Sequence, residues 1–200
     1  MAKSPPARRI LLIDAHPDIE DGHLTQALVE AYADGATQAG HELRRVRLAT
    51  LDFPLLRSQH AWQHHPLPAA LLPAQDSIAW AQHIVLFFPL WLGDMPALLK
   101  GFLEQVARPG FAFSPEGGNP MGRKGLTGRS ARVVVTMGMP ALVYRWYFRA
   151  HSVRSLERNI LGFVGMSPVD ETLIGSVDSL GPEGVGRWCK RLRSLGEGGR

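Results

Sequence analysis

Three short runs in this chain are almost wholly apolar, and each is followed by residues at helical spacing. Ile10–Ile13 is ended by Asp14, Ile84–Phe88 is stopped by Pro89, and Arg132–Thr136 is built around Val133, Val134 and Val135. A strand with one wet face alternates polar and apolar residues. Runs without that alternation belong to strands buried on both faces. Leu24, Ala27, Leu28 and Ala31 follow the first run at helical spacing, with Gly40 as a stop. Leu99, Phe102, Leu103 and Val106 follow the second, after Pro96, which a helix accepts in its first turn. Glu42–Leu48, with Leu43, Val46 and Leu48 among charges, suits a half-exposed edge strand, and Val169–Ile174 reads as a fifth strand. Helices are expected within Ala69–Ala81 despite Pro73, over Ser152–Phe163, and over Val185–Leu195 with Trp188, Leu192 and Leu195 inward. His60–Pro73 is ambiguous. This alternation predicts an α/β fold, a five-stranded parallel sheet with helices on both faces.

No linker divides the 200 residues, so one domain is expected over 1–200, with 1–7 and 196–200 as loose tails. The Pro/Gly-rich stretch Ser114–Gly128 reads as a long loop. The net charge of +4 comes from arginines and lysines scattered along the chain, which argues against a nucleic-acid surface. Cys189 is the only cysteine, so neither a disulfide framework nor a cysteine metal site is available. The apolar run after Met1 ends after four residues, and no run approaches the ~20 apolar residues of a membrane span. A cytoplasmic protein without a transmembrane segment is expected.

In an open parallel sheet, ligands gather beyond the carboxyl ends of the strands. Three loops leave those ends. The first, Ala15–Thr25, offers His16 and His23 as donors to a phosphate, Gly22 for close approach and the Thr25 hydroxyl at a helix start. It also admits a plainer reading, a helix capped by Asp21 with surface histidines. The second, Phe88-Pro-Leu-Trp-Leu-Gly-Asp-Met-Pro96, places apolar and aromatic groups at a strand end, where a flat aromatic cofactor can rest or where Trp91 can plug the core. In the third, Thr136–His151, Gly138 lets backbone approach a ring edge, and Tyr144 and His151 can donate to developing charge. Tyr144, Trp146, Tyr147 and Phe148 equally suit an oligomer interface or plain core.

Phe88-Pro-Leu-Trp, then Met95-Pro-Ala-Leu-Leu-Lys-Gly-Phe-Leu-Glu-Gln-Val106 and Gly110-Phe-Ala-Phe113, with His16-Pro17 after the first strand, resemble the NAD(P)H:quinone oxidoreductase family of flavodoxin-like proteins. That family includes the ancillary oxidoreductases of glutathione-regulated potassium efflux systems. The resemblance spans about residues 8–175. It implies a flavodoxin-like fold and a flavin, FMN with FAD as the alternative, that takes hydride from NAD(P)H and passes it to a quinone-like small molecule. It places His16, Gly22, His23, Leu24 and Thr25 at the phosphate, and Pro89, Leu90, Trp91, Leu92, Thr136, Met137, Gly138 and Met139 along the isoalloxazine. Tyr144 and His151 resemble the pair that stabilises charge on the flavin, and the family implies a homodimer.

The chain departs from the family pattern at Asp21-Gly22 in the first loop, Leu92-Gly93-Asp94 in the second and Met137-Gly138-Met139 in the third. A carboxylate at Asp21 suits a phosphate site only if it turns outward. Two rival functions remain, a one-electron flavodoxin-type carrier and a flavin-binding ancillary subunit. Carriers of that kind are usually strongly acidic, unlike this chain. Gly117…Gly122-Arg-Lys124 echoes a phosphate-binding loop but lacks Lys-Ser/Thr after the second glycine. His60, His64 and His65 could ligate a metal, His60 and His64 standing one helical turn apart, but no Glu follows His60 in a metalloprotease pattern, and no Gly-x-Ser-x-Gly elbow is present.

Overall fold

The computed structural model describes residues 6–114 and 122–200. Along the chain run β1 (Arg9–Asp14), α1 (Leu24–Gln38), β2 (Glu42–Arg47), α2 (Gln59–His64), α3 (Leu72–Trp80), β3 (His83–Pro89) and α4 (Ala97–Val106). A two-residue antiparallel ribbon follows, β4 (Phe113–Ser114) with β5 (Arg123–Lys124). Then come β6 (Ser130–Thr136), α5 (Ala141–Trp146), α6 (His151–Ser155), a π-helical segment Leu156–Leu161, α7 (Gly162–Val164), β7 (Val169–Ile174) and α8 (Gly181–Glu197). The main sheet has the order β2-β1-β3-β6-β7, and every pair in it is parallel. This is the five-stranded flavodoxin-like arrangement expected.

The apolar runs are explained by burial on two faces. Leu11, Ile13, Ile84, Leu86, Phe88, Val133 and Val135 pack with Leu99 and Phe102 of α4 and with Val153 and Leu156. The alternate residues Ile10, Leu12, Val85, Phe87 and Val134 pack with Leu28 and Tyr32 of α1 and Leu192 of α8. Glu42–Arg47 is half exposed, as an edge strand with charges on it must be. Pro73 sits in the first turn of α3, where its missing N–H costs nothing.

Helices α1 and α8 cross closely enough that glycine is required on both. A Cβ on Gly35 would stand 2.0 Å from the Arg193 carbonyl oxygen, and one on Gly196 would stand 2.1 Å from that of Tyr32. This contact corrects the expectation of a loose tail over 196–200. The last helix runs to Glu197, Gly196 is buried, and Arg8 Nη1 donates to the Gly199 carbonyl at 2.7 Å. The physical reason is that the tail packs on α1 and is tied to the sheet's amino-terminal end. Residues 1–5 of the other expected tail lie outside the described residues, as do residues 115–121 of the long loop and with them Gly117. Gly122–Lys124 leads into the ribbon rather than into a helix.

The segment expected to be loop throughout 137–151 contains α5, and the ambiguous stretch after His60 begins inside α2. The chain leaves β1 toward β2 on one side and β3 toward β6 on the other. The topological switch point therefore lies between the carboxyl ends of β1 and β3.

Candidate functional site

Three segments converge at that end of the sheet. The first, after Asp14, is folded on itself. The His16 N–H donates to Asp14 Oδ1 at 3.1 Å, and the Asp18 N–H donates to His16 Nδ1 at 3.2 Å. Because Nδ1 accepts, the proton of a neutral His16 ring sits on Nε2, which is left as a donor. Burial, and then the neighbouring His23, hold the His16 pKa below the usual imidazole value, which favours that neutral form. The two rings stack with centroids 3.9 Å apart. His23 Nε2 stands 3.1 Å from Asp18 Oδ2 as a close contact without hydrogen-bond alignment.

At the start of α1, the Gln26 side chain accepts from the N–H groups of Gly22 (2.9 Å) and His23 (3.3 Å). Gly22 is in the left-handed region at φ 98°. The first-turn N–H groups of Leu24 and Thr25 have no acceptor within the helix and remain to receive an anion. Thr25 itself is only 3 % exposed. Thr25, Leu28, Val29 and Tyr32 lie on the inward face of α1, while Ala27 is exposed. Asp21 is turned outward, toward Arg47 at the end of β2.

The second segment begins where the Leu90 N–H donates to the Thr136 carbonyl at 2.8 Å, tying it to β6. A tight turn follows, closed by Trp91 N–H to Asp94 O (2.9 Å) and Asp94 N–H to Trp91 O (3.0 Å). Leu92 and Gly93 at its tip both have positive φ, 48° and 79°, the signature of a two-residue turn with both central residues left-handed. Their N–H groups take no part in closing the turn. Trp91 is half exposed and Leu92 fully exposed, so Trp91 is not a plug in the core. It meets the edge of His16 with centroids 6.2 Å apart, which links the first two segments.

In the third segment, Thr136 and Met137 are buried, Met137 within the core, while Gly138 is exposed and Met139 partly so. The segment is braced by the Ser176 N–H on the Met139 carbonyl (3.0 Å) and the Val177 N–H on that of Met137 (3.2 Å). Of the residues expected along a ring, Leu90, Trp91, Leu92, Gly138 and Met139 are therefore accessible, and Pro89, Thr136 and Met137 lie beneath them.

Leu92, Gly93, Met139, Tyr144, Phe148 and His151 line one cavity of about 350 Å³. A second, of about 500 Å³, shares Leu92 and is bounded by Trp91, Met95, Lys100, Ser152 and Ser155. The turn at Leu92 divides the two. Tyr144 is 1 % exposed, and its hydroxyl is 2.6 Å from Ser152 Oγ and accepts from the Val153 N–H at 3.3 Å. Its bonds run to α6, and its side chain also lines the cavity beside Leu92 and Met139. His151 is exposed on the cavity wall, following Arg149 and Ala150, both at positive φ. Sequence reasoning missed three participants. Asp14 ends β1 with its pKa raised by burial against the pull of the His16 N–H and Arg47. Arg47 grips the first loop, and Ser152 pairs with Tyr144. The apolar run that marked β1 ends at Asp14, the last residue of the strand.

Among the described residues no helix is long and apolar enough to cross a membrane, and no group of three or more His, Cys, Asp or Glu is arranged to hold a metal.

A family model described as flavodoxin-like fold matches residues 8–188. The ribosyldihydronicotinamide dehydrogenase-like protein traD of Penicillium crustosum is 28% identical over 65% of this chain and 57% of its own length. The glutathione-regulated potassium-efflux system ancillary protein KefG of Escherichia coli is 28% identical over 72% of this chain and 65% of its own. The chain thus spans less than two thirds of either relative. Among solved structures, an NAD(P)H:quinone oxidoreductase from Methanothermobacter marburgensis superposes with a TM-score of 0.79 at 23% identity, covering 96% of both chains. An FMN-dependent NADH-azoreductase from Bacillus anthracis, in complex with FMN, gives 0.72 at 17% identity, covering 94% of this chain and 97% of the other.

Proposed function

The chain belongs to the flavodoxin-like fold family matched over residues 8–188, and from that premise we propose that it is a flavin-dependent NAD(P)H oxidoreductase passing two electrons as hydride to a quinone-like acceptor. The observation that carries this reading is the cavity of about 350 Å³ between the second and third segments. It is apolar on the Leu92, Met139 and Phe148 side and carries an imidazole at its rim, which suits a flat aromatic group that gains charge on reduction. The names of the quinone oxidoreductase and azoreductase neighbours agree with it.

The residues present fit a flavin. Leu92 and Trp91 stand exposed at a strand end where apolar groups otherwise cost hydration, and a planar ring would cover them. The unengaged N–H groups at Leu92 and Gly93 are suited to its polar edge. His16 Nε2 and the N–H groups of Leu24 and Thr25 are suited to its phosphate. When bound, the flavin supplies the hydride chemistry, and the protein supplies orientation and charge stabilisation. His151 holds a proton donor at the rim where charge accumulates. Tyr144 acts indirectly, since its bonds to Ser152 and Val153 set the start of the helix that carries His151. Nucleotide and acceptor bind in turn. FMN is the proposed flavin and FAD the alternative.

The exposed apolar side chains of Leu142 (70 %) and Trp146 (76 %) on α5, and of Tyr147 (80 %) just after it, support a homodimer built over this face. A cytoplasmic location is part of the same proposal. The relationship to an ancillary protein of a potassium-efflux system supports a second reading, a flavoprotein acting as a subunit of a membrane transporter. Purified protein distinguishes them. Menadione-driven NAD(P)H oxidation supports the enzyme, whereas bound flavin without turnover supports the subunit or a carrier.

A further inference from the structure

Arg47, the last residue of the edge strand β2, reaches across to the first loop and makes three contacts with it. Its Nη1 is 3.1 Å from Asp21 Oδ1, and its Nη2 donates to the carbonyls of Ile19 at 2.6 Å and Glu20 at 3.0 Å. The guanidinium fork is thus engaged with three consecutive residues, a geometry that a lysine cannot reproduce. Strand β2 lies on the far side of β1 from β3, so this grip holds Asp21 on the β2 side of the first loop, where its Oδ1 also accepts from Gln26 Nε2 at 3.3 Å. The carboxylate is left bordering a separate polar cavity of about 260 Å³ lined by Asp14, Asp21, Gln26, Val29, Glu30 and Arg47.

We propose that Arg47 is a positioning residue for cofactor binding: it holds the Ile19–Asp21 backbone and removes the Asp21 charge from the phosphate end of the site. The inference rests on the flavin reading above. The electrostatic reason is direct. Asp21 immediately precedes Gly22 and the α1 start, and an unpaired carboxylate there repels a phosphate, while a paired and displaced one does so far less. The effect is specific to the phosphate, because the ring contacts lie on the other two segments.

Comparing FMN with riboflavin, which has the same ring and no phosphate, tests this by fluorescence titration of apoprotein. Arg47→Met should weaken FMN binding by about tenfold or more, because it leaves the Asp21 carboxylate unpaired beside the phosphate end. Riboflavin affinity should stay nearly constant. Adding Asp21→Asn to Arg47→Met should recover most of the lost FMN affinity, and Asp21→Asn alone, which leaves the carbonyl contacts in place, should bind FMN at least as tightly as wild type. Equal FMN affinity in Arg47→Met, equal losses for FMN and riboflavin, absence of recovery in the double variant, or weaker FMN binding by Asp21→Asn alone would each overturn the proposal. A wild-type protein that binds neither compound would instead overturn the flavin reading, which separates the two failures.

Discussion

The Tyr144 hydroxyl is 2.6 Å from Ser152 Oγ and accepts the Val153 N–H at 3.3 Å, so a side chain of α5 supplies the hydrogen bonds at the start of α6. Val153 is buried, and its N–H has no route to water. Tyr144→Phe leaves that donor unsatisfied and should destabilise the protein by about 1–3 kcal/mol. The expected signature is a lower Tm with hydride transfer slowed only modestly. A large loss of reductive rate at unchanged Tm would return the hydroxyl to direct chemistry.

His151 should behave in the opposite way. It is exposed, so His151→Ala should leave Tm nearly unchanged. Loss of a general donor should slow reduction of the flavin by about tenfold or more in stopped flow. An unaltered rate would remove His151 from the mechanism.

The crossing of α1 and α8 gives a prediction independent of function. Gly196→Ala brings a methyl against the Tyr32 carbonyl oxygen, which a backbone atom cannot avoid cheaply. The cost should be about 1–3 kcal/mol, or a Tm lower by roughly 2–12 °C for a chain of this size. Gly186→Ala on the same helix meets nothing within 4 Å and should stabilise by about 0.4–1 kcal/mol. Thermal melts of the two variants in opposite directions would establish the contact; parallel shifts would refute it.

At the far end of the sheet, His83 is buried, and burial, with Arg8 and then Arg132 nearby, pushes its pKa down to about 3. The unfolded chain binds this proton near pH 6.5, so between about pH 6.5 and 3 the unfolded state holds more protons and stability falls as pH falls. Wild type should lose about 2 kcal/mol more than His83→Gln between roughly pH 6.5 and 4.5. Parallel Tm–pH curves for the two proteins would show that His83 is not the group responsible.

Much of this was legible before the structure. Ile10–Ile13, Ile84–Phe88 and Val133–Val135 lie inside β1, β3 and β6, because strands buried on both faces leave an unbroken apolar record. The three loops followed from those strand ends and do converge. What failed to show depends on pairings between distant residues or on faces without a core. Helix α5 stayed hidden because it is six residues long and only Tyr144 of its large side chains is buried, while Leu142, Val143 and Trp146 are exposed, so no inward stripe repeats along it. The burial of Thr25 could not be read from the pattern of Leu24, Ala27, Leu28 and Ala31, although Thr25, Leu28 and Tyr32 fit the same period. Arg47 and Asp21 are 26 residues apart and meet only because β2 lies beside β1. Nor could the glycine contact between α1 and α8 be read, since Gly196 looks like part of a flexible Gly-rich end.

The most direct test of the central claim is to identify what the purified protein releases on heating, by absorbance spectrum and mass, and to titrate that compound back into apoprotein. The account predicts a flavin, FMN before FAD, which raises Tm by binding only the folded state. Absence of flavin in the released fraction, together with an unchanged Tm in large excess of both FMN and FAD, would contradict it.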